Sequence, residues 1–238
     1  MSLPKLNDVP KYELTIPSTG KVVSFRPFLV KEQKVLLIAM ESQEQSQILR
    51  ATLDTISACC GENINVNSLT TFDVDYIFTQ IRARSVGETS KISLSCVHCE
   101  GKTPVVINLS EINVDFNNAS ESMVVKLTDQ FSVKMMYPKY SAIINNPSLT
   151  AAKSTIDVML QTIIMCLDSL MTEDEIISFK DEPLEEVLSF IENLNPAQFE
   201  LLNTFISNLP KIKHKVEFNC EHCKEQNSFV MEGIESFF

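Results

Sequence analysis

The sequence predicts an α+β fold, dominated by antiparallel sheet and carrying two cysteine knuckles of zinc-ribbon type. Three observations carry this. Apolar residues alternate in separated stretches at 12–25, 92–109 and 216–231, the period-two signature of strands joined by tight turns. Between them lie blocks whose apolar residues fall three and four apart, which is helical spacing. Two C-x-x-C pairs sit where two of the alternating stretches turn back.

The first element expected is a hairpin. Tyr12, Leu14 and Ile16 alternate, Pro17-Ser18-Thr19-Gly20 has turn chemistry, and Val22, Val23 and Phe25 resume the extended pattern until Arg26-Pro27 ends it. From Val30 the period changes. Val35, Leu36, Ile38 and Ala39, then Ile48, Leu49, Leu53 and Ile56, suit two amphipathic helices or one bent helix reaching Cys60-Gly61. A further helix is expected over Phe72–Arg84, capped by Thr70 or Thr71. Ile92 and Leu94 lead into Cys96, and Val105, Ile107 and Leu109 leave it, so the first cysteine pair lies in a hairpin turn. Strands at Val124–Leu127 and Phe131–Met136 are expected to extend that sheet.

Residues 155–209 read as three helices, with Ile156, Met159, Leu160, Ile163, Ile164 and Leu167 on helical spacing and Thr172 and Asn195-Pro196 as starts. Val216, Phe218 and Cys220, then Phe229, Val230 and Met231, repeat the strand, cysteine turn, strand layout. The expected organisation is an N-terminal hairpin with helices at 1–87, a first knuckle with strands at 88–137, a helical insertion at 138–210, and a second knuckle with a C-terminal tail at 211–238, packed as one compact unit.

The repeat is visible in the letters. Lys91-Ile92-Ser93-Leu94-Ser95-Cys96-Val97-His98-Cys99 matches Lys215-Val216-Glu217-Phe218-Asn219-Cys220-Glu221-His222-Cys223 as K-apolar-x-apolar-polar-C-x-H-C. Two such hairpins can face one another across a single ion. Cys96, Cys99, Cys220 and Cys223 then supply four thiolates, the donor set of a closed structural zinc site with one Zn per chain. Redox use of the pairs is disfavoured, because that chemistry prefers a thiol at a helix N-terminus and these lie between strands. His98 and His222, third in each knuckle, are read as exposed or bonded to the turn rather than as ligands. Cys59, Cys60 and Cys166 lie on apolar helical stretches and are read as core.

Composition narrows function. The 238 residues are 44% hydrophobic, enough for a sizeable core, and no apolar run reaches a membrane span. The N-terminus lacks the basic and apolar regions of a signal peptide, and seven cysteines form no even disulfide framework. The expectation is a protein made and used in a cytoplasm. Five glycines with no phosphate-cradling motif argue against nucleotide chemistry, and three histidines, two of them inside the knuckles, leave no catalytic triad. No small-molecule substrate is expected, and the chain is read as a non-enzyme.

The net charge of −11 argues against a general nucleic-acid binder. The rival reading, a zinc-ribbon nucleic-acid-binding regulator, rests on Arg82-Ala83-Arg84 and the Lys211–Lys215 run. A solvated, lysine-guarded strand edge explains that run equally well. Acidic groups at Glu173-Asp174-Glu175, Asp181-Glu182 and Glu185-Glu186 read as helix-start carboxylates. Phe237 and Phe238 at the terminus are expected to pack on the core or dock a partner.

Tyr12-Glu13-Leu14-Thr15-Ile16-Pro17-Ser18-Thr19-Gly20-Lys21, then Phe25-Arg26-Pro27-Phe28-Leu29-Val30-Lys31-Glu32, Ala39-Met40-Glu41-Ser42 and Arg84-Ser85-Val86-Gly87-Glu88, closely resemble the T4-type phage baseplate hub proteins. The resemblance covers mainly the first hundred residues. It implies a structural or chaperone-like assembly protein of a contractile tail. The implied partners are other baseplate hub or tail proteins, met in the host bacterial cytoplasm during assembly or in the virion baseplate. It implies no catalytic residue, and the metal expectation rests on the cysteines alone.

Overall fold

The computed structural model describes residues 9–116, 119, 122–146, 149 and 154–233. In chain order the strands are β1 (Tyr12–Thr15), β2 (Val22–Phe25), β3 (Thr89–Ser95), β4 (Lys102–Asn108), β5 (Asn113–Asp115), β6 (Val124–Lys126), β7 (Ser132–Met135), β8 (Leu167–Met171), β9 (Ile176–Ser178), β10 (Lys211–Asn219) and β11 (Gln226–Glu232). The helices are α1 (Val30–Ser42), α2 (Gln45–Cys60), α3 (Thr71–Ser85), α4 (Tyr140–Ile144), α5 (Thr155–Cys166), α6 (Leu184–Glu192) and α7 (Pro196–Ser207). Every strand pairing described is antiparallel, so the fold is α+β. The described chain forms two compact units: residues 1–115 with 211–238, and residues 116–210.

In the first unit, β1 and β2 pair in the register Leu14↔Val23 and bury Leu14, Val23 and Phe25. Gly20 closes their turn at φ 68°, an angle glycine reaches without a Cβ clash. The turn is pinned to α3 through Asp73. This wholly buried carboxylate accepts the Ser18 amide (2.9 Å) and hydroxyl (2.6 Å) and the Thr70 amide (3.0 Å) and hydroxyl (2.7 Å). Thr70 in turn accepts the Asp73 amide, so the expected cap is a full capping box.

The two-helix alternative holds: α1 ends at Gln43, which takes φ 56°, and α2 starts anew. Glu32 of α1 is buried and accepts Arg26 Nη2 (2.8 Å) and the Leu29 amide (2.8 Å). Val74, Ile77 and Ile81 of α3 are fully buried at helical spacing. This helix packs on α2 and on β5 and β10. Beneath the hairpins lies a core of Ala83, Ile107, Leu109, Ile112, Ile212, Val216 and Met231.

Strands β6 and β7 do not extend the knuckle sheet. They belong to the second unit, in a four-stranded sheet ordered β6-β7-β8-β9. The place beside the second knuckle is taken by β5, which pairs with β10 through Ile212↔Val114. A core of Val133, Met135, Ile163, Cys166, Leu167, Val187, Ile191, Leu202 and Phe205 joins this sheet to α5, α6 and α7.

The expected helix at Thr172 is instead a β-hairpin, β8–β9. Thr172 Oγ1 accepts the Asp174 (3.3 Å) and Glu175 (3.0 Å) amides, and Thr172 N donates to Glu175 O (2.9 Å). The hydroxyl performs the bonding of a helix cap but closes a turn. Leu167–Met171 leaves the helical pattern because β7 offers an open edge, in the register Val133↔Leu170, and Asp168 meets Lys134 (3.1 Å) and Lys180 (3.6 Å). The middle helix of this stretch, α6, starts at Leu184 after Pro183. Hence Glu173–Glu175 lie at a hairpin turn, and only Glu185 and Glu186 stand in a first helical turn.

Candidate metal centre

The centre is built from two copies of one turn. In each, the strand delivers a first cysteine whose amide bonds across the hairpin, Cys96 N to Gly101 O (3.0 Å) and Cys220 N to Glu225 O (2.9 Å). The chain then folds back, Glu100 N to Cys96 O (2.9 Å) and Lys224 N to Cys220 O (3.0 Å). Glu100 and Lys224, each following its second cysteine, take φ 58° and 66°, a left-handed step that re-aims the strand. Gly101 is required by the opposite knuckle. An ideal Cβ there would lie 2.5 Å from Cδ2 and 2.8 Å from Cγ of His222.

The four sulfurs of Cys96, Cys99, Cys220 and Cys223 all lie within 4.8 Å of one another. Cys96 and Cys223 stand 3.6 Å apart, as do Cys99 and Cys220. A tetrahedron with metal–sulfur bonds of about 2.3 Å has edges of about 3.8 Å, so these cross-hairpin contacts have the size of tetrahedral edges. Cys96 and Cys220 are buried, Cys223 is half-buried and Cys99 faces solvent. The four can hold a metal ion.

The backbone favours negative sulfur at the first cysteine of each knuckle. The amides of His98 and His222 donate to Cys96 Sγ (3.4 Å) and Cys220 Sγ (3.3 Å). The Cys220 thiol is drawn down to about 6 by the Cys223 amide, against burial, with help from His222, Cys99 and Thr103. At Cys96 burial pushes up, but the amides of His98 and Cys99 and the side chain of Asn227 prevail and lower it. Cys223 shows the cost of crowding. The Glu225 amide favours its thiolate, yet burial and the three neighbouring sulfurs push it up to about 12. A central cation relieves that repulsion.

Sequence reasoning grouped the four cysteines that lie together here but missed the polar residues around them. Asn227 Oδ1 accepts the Val97 amide (3.0 Å), and Thr103 Oγ1 accepts the Glu221 amide (3.1 Å). The only signal was positional: each lies four residues after the second cysteine of its own knuckle. His98 is exposed, and His222 Nε2 donates to Lys102 O (3.3 Å). Cys59, Cys60 and Cys166 are buried core as expected, their thiols pushed up to about 11, 12 and 12 chiefly by desolvation. Phe237 and Phe238 lie outside the described residues.

The lysine run is not a free edge. Strand β5 covers Lys211–Lys213 and β11 pairs from Lys213 onward, so Lys213 lies between the two. Lys211 meets Glu232 (3.5 Å), Lys213 meets Asp115 (3.5 Å) and Glu232 (3.4 Å), and Lys215 meets Glu217 (2.5 Å). Carboxylates thus offset the charge on which the nucleic-acid alternative rests.

Against the models of known families, residues 9–238 match that of the T4 bacteriophage base plate protein. The chain belongs to this family. The match spans nearly the whole chain, well beyond the first hundred residues, and includes the positions of both knuckles. No curated protein and no solved structure matches. Membership in a baseplate family is consistent with a structural rather than enzymatic role, and it points to phage tail proteins as partners. No helix among the described residues is long and apolar enough to cross a membrane.

Proposed function

We propose that this baseplate-family chain is a structural or assembly protein of the baseplate hub of a contractile-tail phage. It works in the host cytoplasm by contacts with other hub or tail proteins. The observation that carries this is the family match over residues 9–238. The cysteine site supports it, because four protein thiolates fill a tetrahedron and leave no open position for water or substrate. We assign the ion as zinc, one per chain, which suits four thiolates in a closed tetrahedron. Its work is to tie residues 96–99 to residues 220–223. Action by contact is further supported by α1, which leaves Val30, Leu37, Ile38 and Met40 more than half exposed.

The test is infection with phage lacking this gene, followed by electron microscopy of the tails. The expected result is an unassembled hub, rescued by the full chain. Normal, complete baseplates would refute the assembly role. A chain ending at Glu235 tests whether Phe237 and Phe238 bind the partner: it should fail to rescue, and full rescue would retire the role of the tail alone.

A further inference from the structure

We propose that Thr103 and Asn227 form a reciprocal clasp that positions the two knuckles around one metal ion and sets its affinity. This rests on the metal reading above. The two residues occupy equivalent places in the repeat. Thr103 on β4 pairs with Leu94, Asn227 on β11 pairs with Phe218, and both partner residues lie two before a first cysteine. Each reaches across to the opposite hairpin and accepts a backbone amide there.

Asn227 Oδ1 accepts the Val97 amide, and its Nδ2 donates to Cys96 Sγ (3.4 Å) and to Glu225 O (2.9 Å). Thr103 Oγ1 accepts the amide of Glu221, the residue that follows Cys220. The orientation of the Asn227 amide follows from this network, since an amide donor at Val97 requires an oxygen. The cysteines that directly precede the two accepted amides, Cys96 and Cys220, are the buried ones.

Thr103 and Asn227 are 4% and 2% exposed. At such depth an apolar residue would be the cheaper filler, because a buried polar group is favourable only with its partners in place. The two side chains differ in shape and share one property: each accepts the backbone amide that follows the first cysteine of the opposite knuckle. The shared role is therefore donor–acceptor chemistry rather than packing. Donation to sulfur offsets the surplus negative charge of four thiolates around a dication, and the amide bonds hold each turn against the other hairpin. Groups that orient metal ligands in this way change affinity about 10–100-fold when removed.

The full chain and its Thr103→Val, Thr103→Ser and Asn227→Asp variants would be compared in two assays. Zinc affinity is measured by competition with a chromogenic chelator, and the thiolate-to-metal charge-transfer band is recorded with cobalt(II) in place of zinc. Thr103→Val keeps the shape and loses the hydroxyl. It should lower zinc affinity about 10–100-fold, while Thr103→Ser keeps it near wild type; the cobalt band reports on Asn227, whose amide donates to Cys96 Sγ, and should move when that donor is replaced. Asn227→Asp keeps the acceptor for Val97 but faces Cys96 with a negative oxygen, and it should weaken zinc at least as much. If Thr103→Val does not fold, Asn227→Asp decides by the same readouts. Wild-type affinity with an unmoved cobalt band in the folded variants would overturn the clasp. A wild-type chain that takes up neither ion would instead overturn the metal reading.

Discussion

Replacing Cys96 and Cys220 by serine, singly and together, tests whether two distant segments share one ion. The cysteines are 2% and 0% exposed, and each stands 3.6 Å from a sulfur of the other knuckle's second cysteine. Serine is close in size, so little of the effect comes from a cavity. What is lost is a ligand. Structural zinc contributes ~10–16 kcal/mol in zinc-finger peptides, comparable with the ~5–15 kcal/mol stability of a whole domain. A site left with three thiolates no longer closes around the ion, and most of that contribution goes. Even a loss of about 4 kcal/mol lowers Tm by about 8–16 °C at the ~2–4 °C per kcal/mol of a unit this size. Each single variant should therefore melt at least that much lower, and the double variant should be little worse, since the shared ion is lost only once. Cys166→Ser, in the core of the second unit, is the control that should leave metal content unchanged. Calorimetry with metal analysis of the same samples reads the outcome. Effects that add in the double variant, or a loss confined to one knuckle, would refute the shared site.

Asp73→Ala removes the acceptor of the buried Thr70 amide and of the Ser18 amide in the exposed turn. At ~1–3 kcal/mol for the orphaned buried amide, urea denaturation should show a loss of about 1–3 kcal/mol, and a loss under 1 kcal/mol would refute the pin between hairpin and helix. Gly101→Ala places a Cβ against the His222 ring and should cost about 1–3 kcal/mol. His222→Ala should recover most of that in the double variant, and no recovery would show the strain to lie in the backbone. At Glu32 burial pushes the carboxyl up, but Arg26 and the Leu29 amide outweigh it and hold it below 4.5. The folded value is the lower one, so its stabilising contribution is complete above pH 4.5 and is lost as pH falls through the depressed value. Glu32→Gln should flatten that part of the acid-denaturation curve, and an unchanged curve would contradict it.

The hairpins were legible because alternation and turn chemistry agree at both knuckles, and the matched cysteines announced that they meet. The helix cap at Thr70 or Thr71 was legible for the same reason, a local pattern with a local cause, though not the reciprocal bond from Asp73. The boundary after Cys166 was not. Ile163, Ile164 and Leu167 continue helical spacing, and Thr172 carries the hydroxyl of a helix cap, so the β8–β9 hairpin is decided by the open edge of β7, a partner over thirty residues away. The clasp was illegible for another reason: Thr103 and Asn227 are ordinary polar letters in a strand until the opposite turn is brought against them. The lysines of β10 misled similarly, since the covering strand β5 is only three residues long and reads as loop.

The most direct test of the account is the metal content of the natively purified full chain, by elemental analysis together with native mass spectrometry. One zinc per chain is predicted, with Cys96, Cys99, Cys220 and Cys223 protected from alkylation until a chelator removes it. A chain that carries no metal, and whose Cys99 and Cys223 react freely in the folded state, would contradict the shared tetrahedral site.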